Sequence, residues 1–174
     1  MGYSVEMYFD PETEAQIQAV WDALAEAKLG DDMGALGFHP HVSLGLCEDL
    51  DEKTFRPLLE TFAEAHLPFE MTLSMVGLFP GDVLFLGPVM DAALLKTHTA
   101  FSKMFRRHAK EPSPLYFVGR WVPHCTLTMN LRPDERGGAV NIALDVALPL
   151  KGKFERISLS TYKPVASRYR FLLS

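Results

Sequence analysis

Two pentapeptides in this 174-residue chain correspond closely: Pro40-His41-Val42-Ser43-Leu44 and Pro123-His124-Cys125-Thr126-Leu127. In a strand, residues two apart share a face, so His41 and Ser43 point one way and Val42 and Leu44 the other. The same parity groups His124 with Thr126, opposite Cys125 and Leu127. Imidazole, with an unperturbed pKa of about 6.5, gives or takes a proton near neutrality. Two facing imidazoles can divide that work: a neutral ring deprotonates an attacking water or hydroxyl, and a protonated one supplies the departing oxygen. Hydroxyls beside them can donate to non-bridging phosphate oxygens, where charge is greatest in the transition state. The pattern therefore points to in-line displacement at phosphorus, with His41 and His124 as acid and base and Ser43 and Thr126 as phosphate donors. Which histidine plays which part stays open. A lone H-x-[ST] tripeptide arises by chance, but histidine at equivalent points of two strands has no obvious packing reason.

The elements that must carry these side chains come in a repeating order. Tyr3, Val5, Met7 and Phe9 alternate with more polar residues, which predicts a half-buried strand ending at Asp10. Asp10-Pro11 predicts an N-cap and a proline at the first helical position. The helix should run to about Lys28 with Ile17, Val20, Trp21 and Leu24 on its apolar stripe and Gly30 as its stop. A short strand from His41 to about Cys47 follows, then a helix from Asp51 to about His66. The turn Phe79-Pro80-Gly81-Asp82 joins strands at about 69–78 and 83–90 into a hairpin. From Asp91 the order restarts with a helix whose last turn holds Arg106, Arg107 and His108. A strand from Trp121 to Met129, a segment at 133–147 and strands at about 154–162 and 167–173 complete it. Val140, Ile142, Leu144, Val146 and Leu148 alternate as in a strand, yet a helix is expected over 133–147 because the first half has one there. The halves, approximately 11–90 and 91–174, read as an internal duplication within one domain: two α+β lobes related by a pseudo-twofold axis around a central cleft.

Composition narrows the partners. A chain 48% hydrophobic and 22% charged can bury a real core. Seventeen Lys+Arg against 22 Asp+Glu leave a net charge of -5. That field repels a long polyphosphate, so duplex DNA is not an expected partner, whereas a small phosphorylated substrate is compatible with it. Cys47 and Cys125 lie at different strand parity and are not expected to form a disulfide. Few cysteines, and an N-terminus Met1-Gly2-Tyr3-Ser4 without a basic or apolar leader, predict a cytoplasmic protein. Gly2 does not make a myristoylation motif, because Glu6 stands where Ser or Thr is required. No apolar run approaches the roughly 20 residues that cross a bilayer, so no membrane partner is expected. His39-Pro40-His41 has the H-x-H spacing of metal ligands, but no further ligand set follows. No metal or other cofactor is expected, and His39 reads as a loop residue at the cleft rim. His66, His98 and His108 read as structural. Arg120, Arg132, Arg168 and Arg170 are candidates to add charge against phosphate, and Phe79, Tyr116, Phe117 and Tyr169 are equal candidates for base stacking.

Paired H-x-[ST]-x motifs 83 positions apart in a chain of this length resemble the 2H phosphoesterases, a superfamily that includes the 2'-5' RNA ligases and the cyclic nucleotide phosphodiesterases. The resemblance spans essentially the whole chain. It implies two lobes of antiparallel sheet with outer helices around a central cleft, no metal, and substrates with a 2',3'-cyclic phosphate or a 2'-5' linkage. Carried over by position, it makes His41 and His124 the acid and base and Ser43 and Thr126 the phosphate-binding pair. The first motif has serine where threonine is commoner in the family, which keeps the hydroxyl. The expected protein is a metal-independent phosphoesterase that opens a cyclic phosphodiester on a nucleotide or RNA end. The alternatives are 2'-5' RNA ligase activity at the same site and a module that binds a nucleotide or RNA end without turnover. One chain supplies both halves of the cleft, so a monomer suffices.

Overall fold

The first alternating run forms strand β1 (Tyr3–Phe9), but all seven of its residues are buried. Val5, Met7 and Phe9 enter the apolar core, while Ser4, Glu6 and Tyr8 are buried on the opposite face. The computed structural model, which describes residues 2–174, explains this by position. β1 lies between β2 (His41–Leu50) and β7 (Leu150–Tyr162), antiparallel to both.

The remaining strands are β3 (Phe69–Phe79), β4 (Val83–Pro88), β5 (Ala109–Pro112), β6 (Cys125–Thr128) and β8 (Val165–Leu172). All eight join one antiparallel sheet in the order β5-β2-β1-β7-β3-β4-β6, with β8 also paired to β7. β7 is common to two wings of this sheet. Along one edge it pairs with β1; along the other it pairs first with β3, through residues 150–154, and then with β8. The wings do not follow the sequence halves 11–90 and 91–174. β2 takes its outer partner β5 from the second half, and β6 hydrogen-bonds to β4 from the first.

Four helices bury their apolar stripes in a single core with Val42, Leu44, Cys125 and Leu127 of the motif strands: α1 (Pro11–Glu26), α2 (Glu52–Glu64), α3 (Ala92–Phe105) and α4 (Arg136–Leu144). The first three begin on aspartates whose carboxylates accept from the backbone of the first turn: Asp10 from Thr13, Asp51 from Lys53 and Asp91 from Leu94. α1 stops before Lys28, and Gly30 is not its stop. Lys28 occupies the left-handed position after the cap at φ 56°. Lys28 N–H donates to the Ala25 carbonyl and Leu29 N–H to the Leu24 carbonyl, the two bonds of a Schellman ending. Arg106 caps α3, leaving Arg107 and His108 beyond it.

Residues 136–144 are helical, as the duplication suggested and against their alternation; Ala139 and Ala143, one turn apart, are fully buried beside α1. The second motif strand is shorter than expected, because residues 121–124 run as irregular chain through Pro123 and only 125–128 pair. β5 was not foreseen: Ala-Lys-Glu-Pro has no periodicity to read. Among the described residues no helix is long and apolar enough to cross a membrane.

Candidate active site

Parity on β1 and β2 builds the floor of a cavity. Ser43 pairs with Glu6 and His41 with Tyr8, so these side chains project on one face while Val42 and Leu44 enter the core. β6 does the same from the far end of the sheet: Cys125 and Leu127 are buried in the core, and Thr126 turns to the opposite face. His41, Ser43, His124 and Thr126 all line one cavity of about 680 Å³. The sheet therefore brings together the four residues singled out from the sequence.

The two histidines are anchored alike. His41 Nδ1 lies 2.7 Å from the His39 carbonyl, and His124 Nδ1 lies 2.7 Å from the Val122 carbonyl. In each case the accepting carbonyl is two residues upstream, across a proline that biases the residue before it to extended backbone. With Nδ1–H donating to that carbonyl, Nε2 of the neutral ring is the nitrogen left to exchange a proton.

The anchors match, but the surroundings of the rings do not. Phe38 stacks on His41 at 6.0 Å, and the Glu6 carboxylate lies 3.8 Å from its Nε2. Glu6 is buried and held in place through its other oxygen, which accepts from Tyr8 Oη at 2.6 Å and Ser160 Oγ at 2.8 Å. His124 instead meets the rings of Phe79 and Phe85 edge-on, at 4.9 Å and 5.6 Å. Burial pushes the His124 pKa below the usual imidazole range; the bond to Val122 opposes that shift, and the charge of nearby His41 adds to it.

The backbones of the motif strands are held by the chain's two tryptophans. β5 pairs with β2 only along Cys47–Leu50, and the Ser43 carbonyl accepts instead from Trp121 Nε1 at 3.0 Å. β6 is the last strand of the sheet, and its Thr126 carbonyl accepts from Trp21 Nε1, also at 3.0 Å. Trp121 lies flat on the buried His98, with centroids 3.8 Å apart, and His98 Nε2 meets the Tyr116 carbonyl. His98 thus packs behind the site, as a structural residue would.

Of the four candidate arginines, only Arg120 lines the cavity. Arg132 pairs with Glu135, Arg168 with Glu52, and Arg170 lies over the Tyr8 ring. Among the four aromatic candidates, Phe79 and Tyr116 line the cavity. Phe117 lies under Arg106 and Tyr169 under Arg56. His39 does lie in a loop, but its imidazole turns to Glu14 at 3.5 Å and its backbone carbonyl is the part that serves the site. Among the described residues no cluster of three or more His, Cys, Asp or Glu side chains has the spacing of a metal site. Cys47 and Cys125 are free, and burial raises both thiols to about 12.

Glu6, Trp21, Trp121 and Lys163 were not singled out from the sequence. For Glu6 a signal existed, a charged residue midway along a strand whose other face is wholly apolar. The tryptophans gave none, since Trp21 on an apolar helical stripe and Trp121 at the start of an expected strand both read as core.

A model of the 2'-5' RNA ligase superfamily matches residues 7–165. A search of curated protein sequences returns no significant match. Among solved structures, TT0787 of Thermus thermophilus superposes with a TM-score of 0.66 at 15% identity, covering 99% of this chain and 98% of that one. E. coli LigT in apo form gives 0.63 at 13% identity over 99% and 97% of the two chains. E. coli LigT complexed with 3'-AMP gives 0.62 at 14% over 99% and 96%. At such identities the structures establish a shared α+β fold, and the match to the family model extends over nearly all of the sequence. The chain belongs to the 2'-5' RNA ligase superfamily.

Proposed function

We propose that this protein is a metal-independent phosphoesterase that opens a 2',3'-cyclic phosphodiester, with His124 as general base and His41 as general acid. The observation that carries the reading is the matched pair of histidines in one cavity, each with Nδ1 bound to a carbonyl two residues upstream. Each ring is thereby oriented before substrate arrives and presents one nitrogen for proton transfer.

His124, kept neutral by its apolar surroundings, accepts a proton from water as the water oxygen bonds to phosphorus. His41 gives its proton to the ribose oxygen as the bond from that oxygen to phosphorus breaks, with Glu6 as counter-charge to the proton His41 carries. Water is thus divided: its hydroxyl stays on phosphorus, and a ribosyl hydroxyl and a phosphomonoester result. Ser43 and Thr126 donate to the non-bridging oxygens, where negative charge collects. Joining a 2'-5' linkage by attack on a cyclic phosphate is the reverse of cleavage at the same site. E. coli LigT, similar in fold, is known in complex with the nucleoside monophosphate 3'-AMP, which is in keeping with a nucleotide substrate here.

Turnover of 2',3'-cyclic nucleotides by wild type, His41→Ala and His124→Ala tests the assignment. Each variant should lose roughly 10²–10⁴ in kcat while its melting temperature stays close to wild type. A wild-type rate in either variant overturns it.

A further inference from the structure

Several of the basic side chains of this protein are tied to carboxylates away from the cavity. Arg132, Arg136, Arg156 and Arg168 are bound to carboxylates at 2.6 to 3.1 Å. Among the described residues Arg120 and Lys163 are the only lysine or arginine side chains that line the cavity, and both are exposed. Facing them from the floor is the buried carboxylate of Glu6. Most of the remaining wall is apolar, with Phe38, Phe79, Leu115 and Val122 among its residues.

A second depression shares Leu46 and Tyr162 with the cavity and extends it. This extension is acidic: Glu48 and Glu111 line it, both exposed, and Tyr162 Oη reaches Glu48 at 3.4 Å. A chain of phosphates passing that way meets like charge, on a molecule whose net charge is already -5. RNA-binding grooves do the opposite, tracking the backbone with cations and gaining affinity from each phosphate neutralised. The cavity volume of about 680 Å³ falls within the range of about 300–1,000 Å³ in which single small ligands are enclosed.

Resting on the phosphoesterase reading, we infer that the cleft takes a substrate no larger than a single nucleotide, carrying one phosphodiester charge, and rejects the ends of RNA strands. The apolar walls enclose the base, the two cations meet one phosphate, and Glu48 and Glu111 repel any phosphate beyond it.

The test compares kcat/KM for a 2',3'-cyclic mononucleotide with that for a ten-nucleotide RNA ending in the same cyclic phosphate. The mononucleotide should be better by tenfold or more. The double variant Glu48→Lys/Glu111→Lys should raise kcat/KM for the RNA at least threefold and leave the mononucleotide unchanged. An RNA turned over as well as the mononucleotide, or a double variant that leaves the ratio unaltered, overturns the inference. If neither substrate reacts, the phosphoesterase reading fails by itself, and the size limit is read from tryptophan fluorescence titrations. Tighter binding of a nucleoside 3'-monophosphate than of a 3'-phosphorylated ten-mer sustains the limit; tighter binding of the ten-mer, or binding of neither, overturns it.

Discussion

An imidazole that already donates through Nδ1 has only Nε2 left for chemistry, and both His41 and His124 are in that condition. What separates them is the medium around each ring. Phe79 and Phe85 shield His124 from water, which disfavours its charged form, so the neutral, proton-accepting form persists to lower pH than for a histidine in solution. The acidic limb of a kcat/KM profile should therefore have its midpoint below pH ~6.5. Phe79→Ala, by admitting water to the ring, should move that midpoint upward; a limb that stays in place would show that burial does not set it. The pairing of histidine with hydroxyl was legible because alternation of sides belongs to any strand, and it holds in β2 and extends to His124 just before β6. Glu6 was legible only as a charge out of place midway along a strand; its role comes from β2, whose register sets His41 beside Tyr8 and Ser43 beside Glu6. Nor could Arg168 be set aside from sequence, since the carboxylate that holds it, Glu52, is 116 positions away in the chain, whereas Arg132 pairs locally with Glu135, three residues on.

Among the elements, helix starts were easier to read than helix ends. An aspartate N-cap is a local interaction, complete within three or four residues: Asp10, read as a cap, serves as one, and Asp51 and Asp91, read only as helix starts, prove to be caps as well. The end of α1 is less regular, because Lys28 holds a left-handed backbone that glycine adopts without steric cost. Lys28→Gly should relieve that conformation and, after the added freedom of the unfolded chain, stabilise the protein by about 0.5–1 kcal/mol. Thermal unfolding should then show a rise of about 1–4 °C, and a fall would indicate that the lysine side chain contributes more than its backbone costs. α4 illustrates the opposite case, in which local pattern misleads. Its residues alternate like a strand, but Ala139 and Ala143 allow close approach to α1, and tertiary packing settles the conformation.

Across the whole molecule, the two motif strands are far apart in the sheet, second and last in the order, and only its curvature brings them to one cavity. Trp121 spans that separation: it lies three residues before His124 and holds the Ser43 carbonyl of the other motif. Trp121→Phe keeps an aromatic ring, though a smaller one, and removes the N–H, leaving a buried carbonyl unpaired at a cost of about 1–3 kcal/mol. It should lower kcat several-fold with little change in KM and lower the melting temperature by a few degrees. Trp21→Phe should do likewise through Thr126, although Trp21 does not line the cavity. An unchanged kcat in both would limit the indoles to packing. This wiring lies beyond sequence reading, because it depends on how β7 joins the wings.

β7 also has a bearing on how the chain reaches this state. β1 and β3 each need β7 on one edge, and β7 follows both of them, and every other strand except β8, in the chain. A nascent polypeptide emerging from the ribosome thus exposes two unzipped edges until residues 150–162 arrive. Cotranslational folding can raise helices and the β3–β4 hairpin, but closure of the sheet awaits a late, long-range event, which makes the half-made chain the form most in need of a chaperone.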